Sequence, residues 1–427
     1  MTNLISASDY CESIFDGTHS TPKPTSDGRV LITSKHIAGG TLDSSSAYQI
    51  SDSDYVAIQK RSAVSQWDIL FSMIGSVGEI YLEKNSDIPY AIKNIGVFSC
   101  KNEARAKWLY YYLQSPSAKS HINRYLNGAV QKFLPLGALR SFPVIPFDEG
   151  KAELVRVLET LDAKIDCNNR INRELESFSK MLYDHWFVQF DFPDNNGNPY
   201  KSSGGAMIYS DALKRKIPEG WKSIELNEII SRSGTGLNPR NNFKLGSGNN
   251  YYVTIKNVTN GKIILDDKCD RIDDEALKII NNRSQLQGGD ILFTSIEPVG
   301  VTYLIHEKPN NWDINESVFT IRPNLDRTTS EHLFLLLSSS EMKLFTKNSS
   351  SGSIHKGIRH GVLKTFLIAY SGVDLINKFS IFTKPLLKKM DILEKETQSL
   401  IRLRDWLLPM LMNGQVTLRT TMKITDL

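Results

Sequence analysis

Few residues of this chain are spaced for chemistry on a substrate. The four cysteines, Cys11, Cys100, Cys167 and Cys269, are scattered with no C-x-x-C pair, a pattern of free thiols rather than disulfides or a zinc centre. There is no G-x-x-x-x-G-K-S/T loop for ATP hydrolysis, no glycine-rich dinucleotide fingerprint after a strand, no N-P-P-Y/F motif of amino-methyltransferases and no His-x-x-x-His zinc spacing. Glu149-Gly150-Lys151 and Asp266-Asp267-Lys268 have the acidic-x-Lys form found in some nucleases, but neither recurs in the other half of the chain. His19, in Asp16-Gly17-Thr18-His19, reads as a turn residue rather than a metal ligand. What does recur is a pair of lysines. Lys35 meets Lys256 at an offset of 221 residues, and Lys132 meets Lys356 at an offset of 224. Lysine neutralises phosphate more often than it specifies a base. Two similar surfaces suit an anionic partner that itself repeats, and duplex DNA is the foremost candidate.

Those lysines belong to a duplicated segment that must position them. Asp68-Ile69-Leu70-Phe71 returns unchanged as Asp290-Ile291-Leu292-Phe293, and at the same offset of 222 Ile74, Val77 and Gly78 meet Ile296, Val299 and Gly300. Upstream, Thr33 and Gly40 meet Thr254 and Gly261; downstream, Gly128, Gly137, Leu139 and Phe142 meet Gly352, Gly361, Leu363 and Phe366. Each copy begins with short β-rich runs separated by Gly, Ser and Asn turns, then turns helical. After each copy the periodicity changes to seven. Leu154, Leu161, Asn168, Leu175 and Leu182 fall on one seam position, with Leu158, Ile165, Asn172 and Trp186 on the other. Phe379, Leu386, Leu393, Leu400 and Leu407 repeat the rule, joined by Met390 and Leu411, and Ser179, Thr383, Thr397 and Arg404 also fall on the seams. The first pattern predicts a helix of roughly 35 residues, about 50 Å long. Pro385 places the start of the second helix near itself, and Pro409 should end or kink it. An uncovered apolar stripe is unstable in water, so the two helices are expected to pack on each other, with Asn168 and Asn172 setting register. The alternative is that each helix packs on its own globular domain.

The expected fold is α+β: two similar mixed α/β domains separated by two long helices packed as an antiparallel coiled coil, with pseudo-twofold symmetry. The boundaries read as 1–147 for the first domain, 148–190 for the first helix, 191–218 for a loop-like linker rich in Pro and Gly, 219–371 for the second domain and 372–427 for the second helix and tail. With 427 residues, 40% hydrophobic content and 23% charged residues, the composition is that of a globular protein. A net charge of +4 mildly favours an anionic partner. No apolar run approaches the roughly 18 residues of a membrane helix and no signal-peptide pattern opens the chain; the expected compartment is the cytoplasm, without membrane contact.

Several stretches together resemble the specificity subunit of Type I restriction–modification enzymes, over essentially the whole length. Asp16 to Pro24 (DGTHSTPKP) looks like the start of that family's target-recognition domain, Trp67 to Ile80 (WDILFSMIGSVGEI) like its central signature and Gly128 to Pro146 (GAVQKFLPLGALRSFPVIP) like its closing signature. Pro218 to Leu226, Gly289 to Gly300 and Gly352 to Phe366 play the same parts in the second half, and Arg402 to Val416 (RLRDWLLPMLMNGQV) looks like the end of the second long helix. The resemblance implies two target-recognition domains, each reading one half of a split, asymmetric DNA sequence, with the antiparallel helices as a ruler: about 50 Å is roughly one and a half turns of B-DNA. It implies no catalysis in this chain. Two methylation subunits bringing S-adenosylmethionine, and two restriction subunits bringing ATP- and Mg-dependent translocation and cleavage, are the expected partners beside double-stranded DNA. Polar loops on a β scaffold reach base edges most readily. The expected DNA contacts are Lys35, Gly128, Gln131 and Lys132 in the first copy and Lys256, Asn257, Gly352, His355 and Lys356 in the second. Gln suits adenine, Lys suits guanine or phosphate, and the glycines allow close backbone approach. Trp186, Phe187, Trp406 and Leu407 are candidate partner-interface residues, with packing inside the chain as the competing role. The rival readings are the recognition subunit of a Type IIB or IIG-like system, an orphan subunit that no longer supports restriction, and a non-DNA scaffold with duplicated binding domains.

Overall fold

The computed structural model describes residues 4–126, 132–259, 261–350 and 357–412. The chain divides into two compact units, Met1–Asp166 with Thr397–Leu427, and Cys167–Glu396. The division falls inside the two long helices, so each unit holds one lobe and a stretch of both helices.

In the first unit β1 (Ser13–Asp16), β2 (Arg29–Thr33) and β3 (Gln49–Ile50) precede α1 (Asp52–Ser62). They are followed by β4 (Asp68–Ser72), β5 (Ile80–Leu82), β6 (Tyr90–Lys93) and β7 (Ile95–Ser99), then by α2 (Glu103–Gln114) and α3 (Pro116–Arg124). A four-stranded antiparallel sheet in the order β1-β7-β4-β5 forms the centre. A three-stranded sheet, β3-β2-β6, lies beside it, with β2 and β6 parallel. The central strand is buried on both faces, which is why its residues run continuously apolar instead of alternating. Ile69 and Phe71 pack with Phe98, Trp108 and Leu109 on the α2 side. Leu70 points the other way and packs with Val97, Ile32 and Ile92 of the smaller sheet. Period-two alternation thus glues one strand to two different layers.

The second unit repeats this plan. Its elements are β8 (Ile230–Thr235), β9 (Asn250–Val253), β10 (Asp270–Ile272), α5 (Asp274–Ser284), β11 (Ile291–Thr294), β12 (Thr302–Leu304), β13 (Trp312–Ile314) and β14 (Val318–Pro323); α4 is the long helix that precedes them, Glu149–Tyr183. The sheet orders are β8-β14-β11-β12 and β10-β9-β13, with β9 and β13 again parallel. Ile291 and Phe293 face Leu333 and Leu336, while Leu292 joins Val253 and Ile314. The helices α1 and α5 also correspond, each 11 residues long and each started by an N-cap, Ser51 accepting from Asp54 N and Asp273 from Ala276 N.

The first long helix is 35 residues and continues into a π-helical turn, Asp184–Val188. Two short helices, Ser330–Ser338 (α6) and Ser340–Ser349 (α7), precede the second long helix, α8, which runs unbroken over Val373–Met412. The expectation that it starts near Pro385 is corrected by 12 residues: Ile376, Phe379 and Thr383 are buried ahead of the proline. That packing outweighs the hydrogen bond a proline forfeits in a helix interior. Pro409 lies inside the last turn and does not end it. The helices pair antiparallel within each unit. In the second unit Asn168 Nδ2 donates to Glu396 Oε2 at 2.9 Å and Asn172 Nδ2 reaches Met390 O at 3.4 Å. In the first, Arg404 Nη1 meets Asp162 Oδ1 at 2.9 Å, and Val155 and Leu158 share a core with Leu408 and Leu411. Of the two seam series, Leu158, Ile165, Asn172, Ser179 and Trp186 are all buried. The segment expected to be a loop-like linker carries a hairpin, Met207–Ser210 against Arg215–Pro218, and buries Phe192 and Ile217 in the second core. Its prolines and glycines shape turns of a folded element rather than a flexible tether.

Candidate nucleic-acid interface

The loop after each central strand is stitched to the closing signature. In the first unit Ile74 pairs with Phe133, Leu134 N donates to Met73 O at 2.9 Å, and Gly75 N donates to Lys132 O at 3.2 Å. In the second, Ile296 pairs with Gly357 and Ile358 N donates to Ser295 O at 2.9 Å. Gly78 and Gly300 close these loops at φ of +96° and +84°, a conformation that costs glycine nothing. Lys132 therefore sits, exposed, directly beside the repeated loop. Gly128, Gln131, Gly352, His355 and Lys356 lie outside the described residues.

Lys35 and Lys256 are both exposed on the turn that follows the parallel strand of the smaller sheet. Each turn is closed by an acceptor two residues after the position before the lysine: His36 Nδ1 receives Thr33 N at 2.9 Å, and Asn257 Oδ1 receives Thr254 N at 2.9 Å and its hydroxyl at 3.0 Å. Burial holds the His36 imidazole below its ordinary pKa, with Lys35 adding to the effect, which favours the neutral ring that can accept. The carbonyl of Asn257 is committed to the turn, so its side chain acts first as a structural closure. The structure thus brings Lys256 and Asn257 together on one turn, while Lys35 and Lys132 occupy different loops of the first unit.

A further correspondence involves residues that sequence reading passed over. By strand register Asp16 on β1 and Thr235 on β8 are equivalent, for both stand opposite the partner of the repeated phenylalanine. The next residue is glycine in each, Gly17 and Gly236, where a Cβ would fall 2.5 Å from Ile92 O and 1.7 Å from Ile314 O. Only glycine lets the opening strand cross the smaller sheet so closely. Asp16 is buried and ion-paired to Arg61 Nη2 at 3.1 Å, with His19 Nε2 at 2.9 Å from its carboxylate and His19 Nδ1 at 2.9 Å from Asn94 Oδ1. On β8, Thr235 Oγ1 accepts from Arg283 Nη2 at 3.2 Å. Arg61 and Arg283 share the offset of 222 found for the central strand, so the signal was present. The Gly17–Gly236 offset of 219 was hidden by loops of unequal length.

The four candidate partner-interface residues separate. Trp186 and Phe187 are buried in the second unit, their rings against Phe379, with Phe187 also on Trp221 and His332. Both side chains are almost wholly taken up by packing inside that unit. Trp406 is 57% exposed, whereas Leu407 leans on the core of the first unit.

Comparison with known proteins places this geometry. The model of the Type I restriction modification DNA specificity domain matches twice, over residues 26–177 and 218–370. The chain is 22% identical over 328 residues to the Type I restriction enzyme MjaIX specificity subunit of Methanocaldococcus jannaschii, covering 74% of this chain and 70% of that one. It is 21% identical over 421 residues to the HindI specificity subunit of Haemophilus influenzae, covering 84% and 88%. The crystal structure of the Type I restriction–modification S subunit from M. genitalium has the same fold, with a TM-score of 0.56 at 14% identity over 96% of this chain and 95% of that one. Among the described residues no helix is long and apolar enough to cross a membrane. Two lobes of one design, each matched by the same domain, make this chain a member of the family of Type I restriction–modification specificity subunits.

Proposed function

We propose that this chain selects the DNA sequence on which a Type I restriction–modification complex acts, each recognition domain reading one half of an asymmetric, bipartite target. The two domains correspond to residues 1–147 and 219–371, and the paired helices set the length of the unread spacer. The chain does no chemistry. Two methylation subunits and two restriction subunits supply it, together with S-adenosylmethionine, ATP and Mg. One observation carries the asymmetry: equivalent loops on one scaffold present different polar groups. Gly75-Ser76 in the first loop corresponds in sequence to Glu297-Pro298 in the second, and Asp16 on the first opening strand corresponds in register to Thr235 on the second. Identical scaffolds with unlike side chains suit two unlike half-sites, because base edges are told apart by donor and acceptor pattern. Recruitment of partners is supported by apolar side chains left in solvent on the long helices, Met181 on α4 and Ile381, Phe382 and Trp406 on α8. Methylome mapping of a host that carries this chain with its methylation subunit tests the proposal. The expected result is a methylated motif of two different half-sequences around a fixed, unspecified gap; a continuous or palindromic motif overturns it.

A further inference from the structure

The helix before each central strand ends in an arginine at the same place. Arg61 and Arg283 stand seven residues ahead of Asp68 and Asp290. Each guanidinium donates to the same position of the opening strand, Arg61 to the carboxylate of Asp16 and Arg283 to the hydroxyl of Thr235. The partner differs in charge between the units, yet the arginine is common to both. Neutralising a buried acid explains Arg61 alone, because Thr235 carries no charge for Arg283 to balance. A guanidinium has five N–H donors in a planar fork, and both side chains are exposed, Arg61 to 64%. One short bond to the opening strand fixes the arm and leaves most of the fork for something outside the protein.

The surroundings in the first unit suit an anion. A cleft of about 190 Å³ is lined by Arg61 together with Thr18, Ser20, Pro22 and Asp54. Two hydroxyls, Thr18 and Ser20, stand 2.7 Å apart there, and outside the lining Lys93 Nζ donates to Thr21 Oγ1. Against these, Asp54 is engaged by Ser51 Oγ at 2.8 Å and Asp16 by Arg61 and His19. Phosphate contacts position a protein on the duplex and carry no base information. A sequence-neutral contact is what two readers of unlike sequences have reason to share, while their base-reading groups diverge.

We propose that Arg61 and Arg283 are equivalent phosphate contacts, one per recognition domain, each held toward the duplex backbone by the opening strand of its own unit. This rests on the DNA-reading function proposed above. The test uses the full-length chain with its methylation subunits and a mixed-sequence duplex, and measures affinity across a salt series. Arg61→Gln and Arg283→Gln should each reduce the slope of log affinity against log salt by roughly 1, and the double variant by roughly 2. Arg61→Lys, which keeps the charge, should keep the slope. Thermal unfolding of each variant reports a purely structural role. If both glutamine variants melt earlier but keep the wild-type slope, the arginines are structural and the proposal falls. If the wild-type complex shows no salt-dependent duplex binding at all, the DNA-reading function itself has failed, a result distinguishable from the first.

Discussion

Asp313 and Ala91 occupy the same place in the two units, on the parallel strands β13 and β6, and the difference between them is a buried carboxylate. Asp313 accepts from Ser284 Oγ at 2.8 Å, Asn281 Nδ2 at 3.4 Å and Ile314 N at 2.8 Å, with no cation against it among the described residues. Burial outweighs these bonds and pushes the carboxyl up to about 6. The ordinary value in an unfolded chain is about 3.9, so the folded state holds the proton more tightly. Stability from this group is therefore fully present in acid and is lost as pH rises from about 4 through about 6, by roughly 3 kcal/mol in total. Denaturant unfolding of wild type and Asp313→Asn at pH values across that window should show the wild type losing stability relative to the variant. Parallel curves would mean that the site is wetter than its geometry indicates. A second pair makes the same point: Asp290 has Arg322 as a bidentate partner at 2.7 and 2.8 Å, whereas Asp68 faces Ser99 and burial raises its carboxyl. The repeat made both aspartates legible in the sequence as shared core positions. Their different partners were not legible, because each depends on one residue from a neighbouring strand that the repeat does not preserve.

Secondary elements were legible where periodicity alone decides them and misread where one residue seemed to veto it. The seven-residue pattern gave the first helix its length, since Leu158, Ile165 and Trp186 fall on a seam that is in fact buried. Pro385 misled because proline is read locally, while a helix of 40 residues is held by its packed face. The Pro- and Gly-rich stretch before Trp221 misled for the same reason: composition marks turns but not whether the strands between them pair. Asn168 and Asn172 behave as seam polar residues are expected to. Each donates across the helix pair, and each leaves its Oδ1 buried without a partner among the described residues. A buried unsatisfied carbonyl costs about 1–3 kcal/mol. Asn172→Leu, whose donated bond is the longer of the two, should therefore raise the unfolding midpoint by an amount worth about 1 kcal/mol. An unchanged or lowered midpoint would mean that the Asn172–Met390 contact contributes more than its length suggests. The leucine variant should also tolerate shifted helix registers, since a polar seam residue specifies register at some loss of stability.

At the scale of the whole chain, duplication is the feature that sequence exposes best. The offset of 222 held across the central strand and the arginine-bearing helix, and strand order, parallel pairing and the stitched loops all repeat with it. What the repeat leaves silent is the spacing of the two half-sites on DNA, which on the proposed function is set by helix length. Both helices run continuously through the point where the two compact units divide. Insertion of one heptad into α4 between Asn172 and Ser179, with a matching heptad in α8 between Thr383 and Met390, keeps the apolar seam in phase. It adds about 10 Å of helix at 1.5 Å per residue, equivalent to roughly three base pairs of B-DNA. Methylome mapping of a host carrying the lengthened chain should return the same two half-sequences around a gap longer by about three base pairs. Inserting the heptad in one helix only breaks the pairing and should abolish methylation. If the matched insertion leaves the gap unchanged, the helices do not measure the spacer; if it alters the half-sequences themselves, base reading is not confined to the lobes.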